Sequence, residues 1–124
     1  MLHKDITSKI ISAFYAVYNK LGYGFLEKVY ENALIIELEK LGLSVRQQVP
    51  IQVCYEGKVV GEYFADLLVD DKVIAELKAT KEIIDAHEAQ LINYLKATNI
   101  EVGLLLNFGA EAKFKRKIFT QRKK

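Results

Sequence analysis

The chain has 124 residues, 51% of them hydrophobic, with a mean hydropathy of +0.05. A chain of that length makes one domain with a buried core, 1–124, and no apolar run approaches the roughly 20 residues that cross a bilayer. One cysteine, Cys54, excludes an internal disulfide and a cysteine metal cage. Met1-Leu-His-Lys-Asp lacks the basic-then-apolar start of a signal peptide, so a cytoplasmic location is expected.

Ile6, Ile10, Phe14, Val17 and Leu21 recur every three or four residues and predict a helix over 5–21. Lys20-Leu21-Gly22 and Lys40-Leu41-Gly42 both read as helix ends with a glycine stop, which frames a second helix from about Gly24 to Leu41. Leu26, Val29, Ala33 and Ile36 form its expected buried stripe, with Glu27 and Tyr30 together at the edge. A glutamate at that place also favours a helix N-terminus through the macrodipole.

After Gly42 the pattern changes to period two. Val45 to Tyr55 reads as a strand, and Pro50 marks an edge or a bulge. Glu56-Gly57-Lys58 turns into a strand over Val59–Val69, and a third strand follows over Lys72–Ala79. Asp85-Ala-His-Glu88 resembles a capping box that starts a third helix ending near Thr98-Asn99. Ile84, Leu91 and Leu95 anchor that helix, and His87, Gln90 and Tyr94 make a polar stripe beside them. Val102–Phe108 is a continuous apolar run, as in a strand buried on both faces, and the helical crossover lets it pair parallel to a sheet strand. The expected class is α/β, with a mixed sheet.

The densest chemistry lies in Phe64-Ala-Asp-Leu-Leu-Val-Asp-Asp-Lys-Val-Ile-Ala-Glu-Leu-Lys-Ala79. Glu76 and Lys78, two apart on a strand, share a face. A three-residue loop centred on Asp71 places Asp66 opposite Glu76, with Ala65, Leu67, Val69, Val73, Ala75 and Leu77 on the other face. A two-residue turn at Asp70-Asp71 instead sets Asp66 against Ala75 and sends Glu76 to the other side. In the first register two carboxylates and an ammonium converge, an arrangement that requires pairing or a metal. A plainer alternative for that arrangement is a cross-strand Asp66–Lys78 ion pair on a solvated sheet face, with Glu76 as a neighbour.

Residues 113–124 carry Lys113, Lys115, Arg116, Lys117, Arg122, Lys123 and Lys124 with no acid, a segment charge of +7 that leaves −5 on the rest of a chain of net +2. Such a segment attracts phosphate. Phe114 and Phe119 indicate that its first part packs on the body, and 120–124 reads as a basic tail.

Two helices, three antiparallel strands with Asp66 on the second and Glu76-Leu-Lys78 on the third, a helix and a fourth strand together resemble the PD-(D/E)XK nuclease superfamily. Within it, Gly24-Phe-Leu-Glu27-Lys-Val-Tyr30 and Gln90-Leu-Ile-Asn-Tyr94 are similar to the small family with a GxxExxY signature. The resemblance covers residues 5–119. Ala65 stands where the superfamily name has proline. The resemblance implies a restriction-endonuclease-like core and favours the odd register. It further implies metal-dependent hydrolysis of nucleic-acid phosphodiesters, with DNA as the expected substrate. The implied catalytic residues are Glu27, Asp66, Glu76, Lys78, Gln90 and Tyr94.

Asp66, Glu76 and Glu27 are the implied metal carboxylates, Asp66 and Glu76 being joined by the Leu77 carbonyl and Glu27 serving as an outer or second-metal carboxylate. An all-oxygen set suits Mg²⁺ or Mn²⁺. Lys78 would orient water and offset charge on the phosphate, and Lys113, Lys115, Arg116 and Lys117 would hold the nucleic-acid backbone. The small size points to a homodimer or a partner protein. The alternative is a module of the same fold that binds nucleic acid or protein without hydrolysis.

Overall fold

Residues 1–120 are described in a computed structural model. Helices α1 (Lys4–Leu21) and α2 (Glu27–Lys40) come first, then strands β1 (Val45–Tyr55), β2 (Lys58–Val69) and β3 (Val73–Lys78). Helix α3 (Asp85–Lys96) crosses over to β4 (Val102–Phe108), and β5 (Ala112–Ile118) closes the described chain. The strands form one mixed sheet in sequence order, antiparallel except for the parallel pair β3–β4. This is the α+β arrangement expected of a restriction-endonuclease-like core. No described helix is long and apolar enough to cross a membrane.

The two sheet faces are covered unequally. Helices α1 and α2 bury Ile10, Phe14, Val17, Leu34 and Leu38 against Leu67, Val73, Leu104 and Phe108, the larger cluster. Helix α3 covers the opposite face with Leu91, Tyr94 and Leu95, packed on Ile51, Leu68, Ile74 and Leu105. Strand β4 lies between both layers, and every one of its residues is buried. Gly103 on β4 permits that packing, because a Cβ there would come within 2.7 Å of Leu91 Cδ1. Pro50 sits on β1, an edge strand, as the sequence pattern suggests.

Several expectations need correction. The apolar stripe of α2 is out of phase: Leu26 and Ile36 are 82% and 57% exposed, Val29 is also exposed, and Tyr30, Glu31, Leu34 and Leu38 are buried. The helix packs through a face that includes a tyrosine and a glutamate, so counting aliphatic residues selects the wrong side. Leu21 and Ile84 are exposed as well. Asp85 is the first residue of α3 and no capping box forms around it; the Ile84 N–H donates to His87 Nδ1 at 3.2 Å. The first part of the basic segment, expected only to pack on the body, is a fifth strand, Ala112–Ile118, and Thr120 is the last described residue. Arg122, Lys123 and Lys124 lie outside the described residues.

Candidate active site

The turn between β2 and β3 fixes the register. Asp70 and Asp71 both take left-handed backbone conformations (φ 52° and 54°), which aspartate tolerates better than most residues. Asp70 Oδ1 accepts hydrogen bonds from the Ser44 N–H at 2.8 Å and its hydroxyl at 3.1 Å, and the Asp70 N–H donates to the Ser44 carbonyl. Val69 pairs with Val73, Leu68 with Ile74 and Leu67 with Ala75, so the loop is centred on Asp71. The next step of that register sets Asp66 against Glu76.

At that step the backbone ladder stops and side chains replace it. The Asp66 N–H donates to Glu76 Oε2 at 2.6 Å, and the Leu77 N–H donates to Asp66 Oδ2 at 2.8 Å. The N–H and C=O of one strand residue point to the same side, so the Leu77 carbonyl faces the same opening. The β1–β2 ladder also skips here, passing from Gln47↔Leu67 to Val49↔Ala65, with Gln48 at φ 52°. Alternation reverses across the skip. Ala65 therefore packs with Ile51, Leu68 and Ile74 on the α3 side, not with Leu67 and Val69 as the period-two pattern predicted.

Glu76 is only 4% exposed. Burial, and then the Asp66 charge, push its carboxyl up to about 8, against the opposing effects of the Asp66 N–H and Lys78. Asp66 is raised as well, by burial first, while the Leu77 N–H and Gln48 pull it down and the charges of Glu31 and Glu27 push it up. Two coupled carboxylates that both resist ionisation mark a place short of positive charge. Their oxygens suit a hard divalent cation, and Mg²⁺ commonly takes one or two carboxylates with water and substrate phosphate completing its shell.

Glu27, the first residue of α2, is exposed and bears on Asp66 through its charge. Among the described residues no three carboxylate, histidine or cysteine side chains form a ready-made metal set. Glu31, absent from the sequence-derived set, is 3% exposed and lies closer to the polar network. Its carboxylate accepts hydrogen bonds from Lys28, Gln47 and Gln48, and Gln48 also donates to Asp66 Oδ1 at 3.2 Å. The available signal was its position four residues after Glu27, one turn along the same helix face.

Lys78 lies on the same face as Glu76, and its Nζ donates to Gln90 Oε1 at 3.1 Å. The Gln90 side chain also bonds Tyr94, whose hydroxyl is pushed up to about 12 by burial and by the nearby Glu76 and Asp66 charges, so it stays protonated. Asp66, Glu76, Lys78, Gln90 and Tyr94 thus form one connected group. Tyr30 stands apart: fully buried, it stacks on Phe108 at 4.2 Å and donates to the Gly22 carbonyl at 2.7 Å.

The basic residues of β5 divide between the two faces. Lys113, Lys115 and Lys117 pair with Asn107, Leu105 and Gly103, the β4 residues that face α3 or lie beside Lys78, Glu76 and Ile74. Lys117 forms an ion pair with Glu88 of α3, and Lys113 with Glu111. Arg116 lies on the α1 side, where it donates to the Leu2 carbonyl.

Residues 4–119 match the family model of the PD-(D/E)XK nuclease superfamily, and the chain belongs to that superfamily. The nucleases of that superfamily cleave phosphodiester bonds and generally use divalent metal ions. The crystal structure of SSO0001 shares the fold, with a TM-score of 0.54 at 17% identity over 73% of this chain. The matched part covers 54% of that protein, so this chain spans about half its length. None of the curated proteins matches the chain.

Proposed function

We propose that the protein is a divalent-metal-dependent nuclease that hydrolyses phosphodiester bonds in DNA, and that it belongs to the GxxExxY branch of its superfamily. The observation that carries this reading is the break in the ladder between β2 and β3. There Asp66 and Glu76 each bond the other strand's backbone beside Lys78, and each carboxylate keeps a second oxygen that is not used in that exchange. Mg²⁺ or Mn²⁺ held by Asp66, Glu76 and the Leu77 carbonyl would supply Lewis acidity toward the phosphate and acidify a water. Glu31 and Glu27 would hold outer-sphere water from α2.

Lys78 places its ammonium over the attacked phosphate and offsets the charge that grows there. Gln90 fixes the Lys78 side chain through the 3.1 Å hydrogen bond. Tyr94, kept neutral, donates a hydrogen bond without adding charge. Lys113, Lys115 and Lys117 extend the same face and would grip backbone phosphates, a contact that positions the substrate without reading sequence. A chain of this size working on duplex would act as a homodimer or with a partner protein.

The test is Mn²⁺ titration by calorimetry, with and without oligonucleotide, beside a cleavage assay, for wild type, Asp66→Asn and Glu76→Gln. Metal binding and cleavage by wild type alone are expected. Absence of both from wild type, even with oligonucleotide present, would replace this reading with that of a non-hydrolytic binding module.

A further inference from the structure

Strand β2 outruns β3. It pairs with β3 only over Leu67–Val69, whereas its pairing with β1 continues to Lys58. Beyond Asp66 the β1–β2 ribbon therefore stands clear of the sheet, and α3 lies alongside it. Between them runs an open groove of about 870 Å³, within the roughly 300–1,000 Å³ typical of small-ligand sites. Tyr63 from the ribbon and Gln90, Asn93 and Tyr94 from α3 line it, and alanines on the helix keep it open. The Tyr63 side chain is half exposed, and its ring lies 5.9 Å from that of Tyr94.

We infer that this groove is a binding site for an unpaired nucleobase next to the scissile phosphate, stacked on Tyr63; the inference rests on the nuclease reading above. Continuity with the candidate active site argues for that occupant. Gln90 and Tyr94 line the groove and also belong to the group that contains Lys78, so whatever lies on Tyr63 is joined to what lies at Lys78. The chemistry agrees. Lys96 is the one charged residue of the lining and no carboxylate is present, which suits the uncharged face of a base and repels no phosphate.

Asn93 presents an exposed side-chain amide that makes no hydrogen bond among the described residues, free to meet a base edge. A base inside a duplex cannot enter a cleft between a helix and a ribbon, so the nucleotide must be single-stranded or extruded. The enzyme would then prefer single strands, flaps or frayed ends to blunt duplex.

The experiment measures affinity for a single-stranded deoxyoligonucleotide carrying one fluorescent purine and for its blunt duplex. Glu76→Gln is used as the background so that the oligonucleotide stays intact, and Tyr63 is compared with Tyr63→Ala and Tyr63→Phe. With Tyr63, single strand is favoured and the purine is quenched on binding. Tyr63→Ala is expected to lose about tenfold to a hundredfold in single-strand affinity, the size of one base–aromatic stack, together with the quenching. Tyr63→Phe should keep both. If Tyr63→Ala retains the quenching and the preference, the inference fails and the nuclease reading stands. If none of the three binds either oligonucleotide, both fail.

Discussion

The two faces of the sheet solve different problems with the same five strands. Under α1 and α2 the strands meet a continuous apolar layer, in which Phe14, Tyr30 and Phe108 pack ring to ring. Under α3 the layer is smaller and breaks off at Asp66, Glu76 and Lys78, where hydrogen bonds to backbone replace packing. The first face holds the chain together, so the second can carry charges that would otherwise unfold it. Buried carboxylates are costly, and a site that keeps them needs stability supplied from elsewhere.

The sharpest way to break this comparison is to injure each face in turn. Phe108→Ala removes a ring that is stacked on one side and met edge-on on the other, and should cost about 3–5 kcal/mol in denaturant unfolding. Its effect on the metal affinity of the folded fraction should be small. Glu76→Gln should do the reverse: cleavage falls roughly a hundredfold or more, as for loss of a main electrostatic group, while chelator-treated protein unfolds no more easily than wild type.

Acidity sharpens the contrast. In chelator, Glu76 has a folded pKa of about 8, above its ordinary 4.5. A raised folded value means the neutral form is the one folding favours, so its contribution is complete below pH 4.5 and is lost as the pH rises through 8. Wild-type stability relative to Glu76→Gln should therefore decline between those limits, as read by thermal melts across pH. A flat difference would show that Glu76 is not the buried, charge-starved group described. A smaller effect is expected from Tyr30→Phe, which deletes the bond to the Gly22 carbonyl but keeps the stack, and should cost about 1 kcal/mol. Smallest of all, Lys115→Ala should weaken oligonucleotide binding alike for all sequences and reduce the log–log salt slope by about one.

How much of this was legible in the sequence follows from where local rules hold. The hairpin was readable because Asp70-Asp71 between aliphatic runs makes a turn, and strand alternation then places Glu76 and Lys78 on one face. β4 was readable because a strand covered on both sides has no polar positions except Asn107, which is bound to Thr80. What escaped were places where a polar residue holds an apolar position. Glu31 on the buried side of α2 inverted the apparent stripe. In β5 the alternation of Phe114, Arg116 and Ile118 with three lysines hides behind uniform charge. Ala65 changed faces because Gln48 breaks the pleat beside it, an event one strand away that no count along β2 can foresee. The Glu27 motif marks the helix end near the site, and Glu31, one turn further on, is the α2 carboxylate bound into the Gln48–Asp66 network.

The exchange of hydrogen bonds between β2 and β3 has a spectroscopic consequence. The amide protons of Asp66 and Leu77 are bonded to carboxylates where their neighbours in the sheet are bonded to carbonyls. Their resonances should move with the charge on Glu76 and Asp66, and so with any cation that settles there. The site carries two built-in reporters in the backbone itself, and an amide spectrum follows its state without a substrate, a label or a turnover.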